Sequence, residues 1–290
     1  MGYECLLAGL PDLKAGAESP ITMEALLALF GETLTKSDLR LLEMLRMPSD
    51  APEVLELIAR NDEKYAEQEC WWTDVRGALS ETDLRMQALY ELGLTSKNQF
   101  IRDWFAFNQD MNNVLTAVIC RRHGFDVKKA IVGHNPVAEI LRKDLPQKDF
   151  GLSAEMDNLE NVIALVDINN LMEREKQMDA IRFAWLEEKN QFVYFSIENV
   201  LAYYLQAEML NRWALLTVEQ GEKVFRELVS QYIFNREVHK LILLFQPCKT
   251  DSIHLLLTLH KVGDIHERHH VLQVVHLSRQ TKILLWQVLT

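Results

Sequence analysis

Glycine and proline are scarce in this chain, 11 and 7 among 290 residues. That scarcity excludes collagen-like and Pro-rich architectures, and it argues against an all-β chain built on many tight turns. No apolar run approaches the roughly 18 residues that a membrane span needs. The opening, MGYECLLAGLPDLK, lacks a basic n-region and its apolar stretch is broken by Glu4 and Pro11, so it does not read as a signal peptide. Phosphate-cradling GxxxxGK[ST] and GxGxxG loops are missing, as is a GxSxG nucleophile elbow. The four cysteines (Cys5, Cys70, Cys120, Cys248) are scattered with no C-x-x-C pair, which fits neither a disulfide framework nor a zinc knuckle. They read as small buried hydrophobes in a reducing cytoplasm. Basic charge is also in deficit, 31 Lys and Arg against 42 Asp and Glu, for a net charge of −11. A chain so acidic is not expected to grip nucleic acid, whose non-specific affinity comes from neutralising phosphates.

What is present is an ordinary globular composition, 48% hydrophobic and 25% charged, over a length that suits one or two packed units. The charge is unevenly spread. From Phe234 onward there are four acidic and seven basic residues, so residues 1–233 carry 38 acidic and 24 basic groups. Seven of the nine histidines lie in the same final stretch. The chain therefore divides into an acidic body, 1–233, and a basic, His-rich tail, 234–290.

The body reads as helices nearly throughout, either one elongated multi-helix bundle or two helical subdomains divided near 95–100, after a short irregular or extended opening. Thr22 precedes MEALLALF, Ser37 and Asp38 open DLRLLEMLRM, and Asp50 with Pro52 opens a helix through EVLELIARNDEKYAEQECWW. Ser80 with Asp83 makes a capping-box-like start for a helix to Gly93. Residues Ile101 to Arg122 form the clearest long helix, stopped by Gly124, with Arg121, Arg122 and His123 suited to the negative end of its dipole. Its apolar residues make two adjacent stripes, so the helix is expected to be mostly buried. Asn108 and Asn112 fall inside one of these stripes. Such amides need partners, because an unpaired buried amide costs about 1–3 kcal/mol. After a loop around Pro136 to Gly151, one helix holds Leu171, Met178, Ile181 and Trp185 inward. Another, starting near Ser196, is apolar around most of its circumference; Glu208 and Arg212 on it are spaced to pair. EQGEKVFRELVSQYI closes the body.

One tail pattern points to chemistry. His266-Glu267-Arg268-His269-His270 satisfies H-E-x-x-H, with His276 near the place of a third zinc ligand. On a helix, His266 and His270 would share a face, and Glu267 would be the base that activates a metal-bound water. Against it, Gln273 stands where the longer motif needs Gly, and the preceding KVGDI is poor helix. A zinc-dependent hydrolase is the runner-up reading, beside a generic helical scaffold for some other complex.

Three stretches of the body carry a resemblance. Tyr3-Glu4-Cys5-Leu6-Leu7-Ala8-Gly9-Leu10-Pro11-Asp12-Leu13 resembles the "Y-x-x-L-x-x-x-L-P-x-L" start of a bacterial family encoded within V-type ATPase operons. WFAFNQDMNNVLTAVICRRHGFDVKKAIVG is similar to that family's central signature. More remotely, Asn112-Asn113-Val114-Leu115 with Arg121-Arg122 resembles the "N-L-x-x-x-x-R" helices of the V/A-type ATPase socket protein, which joins rotor shaft to membrane ring. ENVLAYYLQAEMLNRW resembles the Tyr-bearing helix of that socket protein, followed by Glu and Asn-Arg: Tyr203 or Tyr204, then Glu208, Asn211 and Arg212. The resemblance spans roughly residues 1–233. It implies an all-helical, non-catalytic connector without a cofactor, cytoplasmic and peripheral to the membrane, whose partners are the rotor shaft and membrane ring. Polar groups that fix register in apolar seams would then carry the contact. The candidates are Asn108, Asn112, Asn113, Arg121, Arg122, Tyr203, Tyr204, Glu208, Asn211 and Arg212.

Overall fold

The computed structural model describes residues 2–66, 68, 70–215 and 226. Among them are eleven α-helices, two 3-10 turns and no strand: an all-α bundle. The chain divides into two compact units, Met1–Ala207 and Glu208–Thr290. Of the second, only Glu208–Leu215 and Arg226 are described. The candidate zinc ligands His266, His270 and His276, with Glu267, lie outside the described residues, as does almost all of the helix expected over EQGEKVFRELVSQYI.

Local chemistry sets most helix starts. Helix α1 spans Tyr3–Gly9; the irregular stretch expected at the very start follows it instead, over 10–22. The hydroxyl of Tyr3 donates to Asp38 at 3.0 Å, which ties this first helix to α3. Helix α2, Met23–Thr33, is capped by Thr22. Helix α3, Lys36–Arg46, starts ahead of the expected Ser37-Asp38 cap. Thr35 is its cap, and Asp38 completes a reciprocal capping box from the N3 position. Helix α4, Pro52–Tyr65, has Pro52 in its first turn, where the missing N–H leaves no bond unmade.

The continuous helix expected through Trp72 is two helices. Helix α4 stops at Tyr65, and α5 runs Trp71–Ala78. The break lets the chain fold back. Trp72 is almost fully buried, its indole N–H donates to Asp62 of α4 at 2.9 Å, and Trp71 meets Tyr65 edge-on. A straight helix would carry both indoles away from α4 instead.

Helix α6, Glu81–Leu94, starts at the expected Ser80 cap. Helix α7, Gln99–His123, is capped by Asn98 and closed by Gly124 in the left-handed region, at φ +70°. Beyond it lie a 3-10 turn at Val127–Lys129 and helix α8, Pro136–Arg142. Pro136 therefore opens a helix rather than a loop: Asn135 caps it, and proline suits the first helical turn. Helix α9, Leu159–Ala164, and a 3-10 turn at Leu165–Asp167 lead to α10, Leu171–Asn190, and α11, Ile197–Ala214.

Helix α7 is the axis of the first unit, packing against α6, α8, α9 and both 3-10 turns. Its buried face joins residues such as Leu141, Phe150, Leu152 and Val162 in one apolar cluster. On α10 the buried row is Met178, Arg182 and Leu186, with Phe183 beside it, while Ile181 and Trp185 are only half-buried. Both still face inward: Ile181 packs against that apolar cluster, and Trp185 stacks on Phe107 of α7, with ring centroids 5.0 Å apart. The inward row admits Arg182 because that guanidinium is paired with Asp179 at 3.0 Å and donates to Asn108 of α7 at 2.8 Å.

Gly93 marks a close approach of α6 and α7. A Cβ there would overlap the ring of Phe105, which itself meets Tyr90 edge-on. Alanine is the better helix former by about 1 kcal/mol. Overpacking a buried ring costs about 1–3 kcal/mol and wins this close to a helix end. Gly93→Ala is expected to lower the midpoint of chemical denaturation, whereas an unchanged or raised midpoint would show that the α6–α7 seam has slack.

Candidate functional site

The residues that sequence pattern assigns to a partner fall into two groups. Those on α7 are tied within the first unit. Asn108 donates to the Trp104 carbonyl at 2.8 Å and accepts from Arg182. Asn112 donates to the Tyr90 hydroxyl at 2.6 Å. Asn113, fully buried, accepts from the Val132 N–H at 3.0 Å and donates to the Val132 carbonyl at 2.7 Å. One amide thus satisfies both backbone groups of a residue that lies in no helix, which a buried segment requires.

That segment, 131–135, is held by side chains throughout. Gln87 of α6 accepts from the Gly133 N–H, and Arg142 of α8 donates to the Gly133 carbonyl and to that of Ile131. Asn135 donates to Gln109 at 3.2 Å and to Asp110 at 2.7 Å. Gly133 has φ +85°, and a Cβ on it would overlap the Gln109 amide. Glycine is required there twice over, by conformation and by space. These are the two ends of one signature: the asparagine-bearing helix and the AIVG that follows it grip one another. Gln87 lies in no motif and nothing in the signature stretch distinguishes Gln109; only burial reveals them.

Asp110 sits in this seam, and burial pushes its carboxyl up to about 6, against the opposing hydrogen bond from Asn135. Cys120, on the buried face of the same helix, has its thiol raised chiefly by burial.

The two arginines that end α7 reach loops of the same unit. Arg121 donates to the carbonyls of Gln147 and Leu145 at 2.8 and 2.6 Å, pairs with Asp144 at 2.7 Å, and lies 3.6 Å from the ring centroid of Phe150. Asp144 and Phe150 have φ +47° and +56°, which non-glycine residues rarely adopt. Arg121 therefore braces a loop with two strained residues. Arg122 donates to the Val166 carbonyl at 2.8 Å and pairs with Asp167 at 2.5 Å.

On α11, Tyr204 is buried, and the half-buried Tyr203 donates its hydroxyl to the Pro11 carbonyl at 2.9 Å. Burial, with a smaller contribution from Asp12, pushes the Tyr203 phenol up to about 12. Asn98, the cap of α7, also donates to Glu198 in the first turn of α11 at 3.1 Å. In the second unit, Glu208 is exposed and Asn211 and Arg212 are half-buried, with the Arg212 guanidinium 5.6 Å from the Trp213 ring centroid.

Among the described residues no cluster of three or more His, Cys, Asp or Glu could hold a metal ion, and no helix is long and apolar enough to cross a membrane. A cleft of about 520 Å³ between α9 and α10 is lined by residues that include Leu165, Ile168, Ile181, Asn158, Asn161 and Gln177.

Residues 68–233 match the family described as "Protein of unknown function (DUF2764)", more than half of the chain, and the chain belongs to that family. No curated protein matches it, and no solved structure does.

Two outcomes follow from the seam. Asn113→Leu removes the acceptor and donor that serve Val132, so stability is expected to fall by at least about 2 kcal/mol, with the denaturant slope unchanged. A loss under about 0.5 kcal/mol would mean water replaces the amide. Asp110 titrates higher folded than unfolded, so the folded state binds the extra proton. Its contribution is then present at low pH and lost as pH rises from about 4 through about 6. Asp110→Asn is expected to raise stability at pH 7, on the order of 1–3 kcal/mol, and to flatten the pH profile over that window. A profile that keeps its slope in the variant would assign the proton elsewhere.

Proposed function

We propose that this member of the family is a non-catalytic helical component of a rotary V/A-type ATPase, the counterpart of the socket protein that seats the rotor shaft on the membrane ring. The observation that carries the reading is that the opening stretch meets the Tyr-bearing stretch, which also touches the cap of the helix bearing the central signature. Pro11 of the opening accepts from Tyr203 of the Tyr-bearing helix, and Asn98, at the foot of the signature helix, donates to Glu198 about one turn earlier on that same helix. Residues 192 positions apart in sequence thus belong to one frame.

A socket has to resist slipping under torque without making or breaking bonds. A polar seam inside an apolar bundle suits that task, because each buried amide accepts only one register and a slip would leave it unpaired. The contact with the rotor shaft and the ring falls, on this reading, to the Glu and Asn-Arg set of the resemblance: Glu208, Asn211 and Arg212 on the last turns of α11. The protein would act at the inner face of the membrane, peripheral to it, contributing to ion transport through the complex. Its partners would supply the nucleotide and ion chemistry.

Gentle extraction from native cells tests the proposal. The chain is expected to co-purify with the proteins of the ATPase catalytic head and rotor shaft in a constant ratio through two orthogonal separations. Arg212→Ala is expected to weaken that association while leaving the thermal midpoint near wild type. A chain that never travels with those proteins is not part of the ATPase.

A further inference from the structure

We draw no further inference here: the strongest candidate, the exposed apolar patch Phe192–Phe195 in the turn between α10 and α11, carries nothing because nothing among the described residues shows what covers it.

Discussion

Asn113 clasps both backbone groups of Val132, and the arrangement of the first unit follows from that contact. Residues 131–133 are buried and lie in no helix, so their N–H and C=O groups have to be met by side chains. Asn113, Gln87 and Arg142 meet them from three different helices, α7, α6 and α8. Remove the segment and those helices face one another across unpaired buried amides. Keep it and their spacing and register are set together. Gly133 belongs to the same constraint, since any side chain there would displace the Gln109 amide.

The ends of α7 extend this control outward. Asn98 serves at once as helix cap and as donor to α11, while Arg121 and Arg122 gather the loops that lead to α9 and α10. A helix C-terminus favours cations through its dipole, but that effect is only a few tenths of a kcal/mol to about 1 at an exposed site. Three directed hydrogen bonds and a ring contact on Arg121 outweigh it. Arg121 is better explained by the strained loop it braces than by the dipole it suits.

The polar residues of α7 are tied to groups of the same unit, and α11 is anchored through Tyr203 to the opening segment. Under the proposed connector role, contact with other proteins would fall to groups outside the α7 seam.

Helical class, the extent of α7 with its Gly124 stop, the Ser80 cap and the near-complete span of α10 were legible in the sequence, because each rests on period or on capping chemistry within a few residues. The need of the α7 amides for partners was legible as well, since a polar group on a buried face implies one. Which partners they take was not. Asn113 meets a carbonyl 19 residues away and Asn108 a guanidinium 74 residues away, and no local pattern carries that information. The break after Tyr65 had no glycine or proline to announce it; burial of Trp72 against Asp62 decided it. Pattern placed Ile181 and Trp185 inward, and both do pack there; it gave no sign that Arg182 is buried beside them, which pairing with Asp179 and Asn108 allows. Exposure of Phe192–Phe195 lies furthest from sequence reasoning, because an apolar run predicts burial, and only the turn held by Asn199 shows that here it faces water. Sequence alone determined what each segment would become, since helix formation is a local balance between propensity and caps. Tertiary structure decided which polar groups meet and which apolar ones stay outside, since both depend on residues brought together only when the chain is folded.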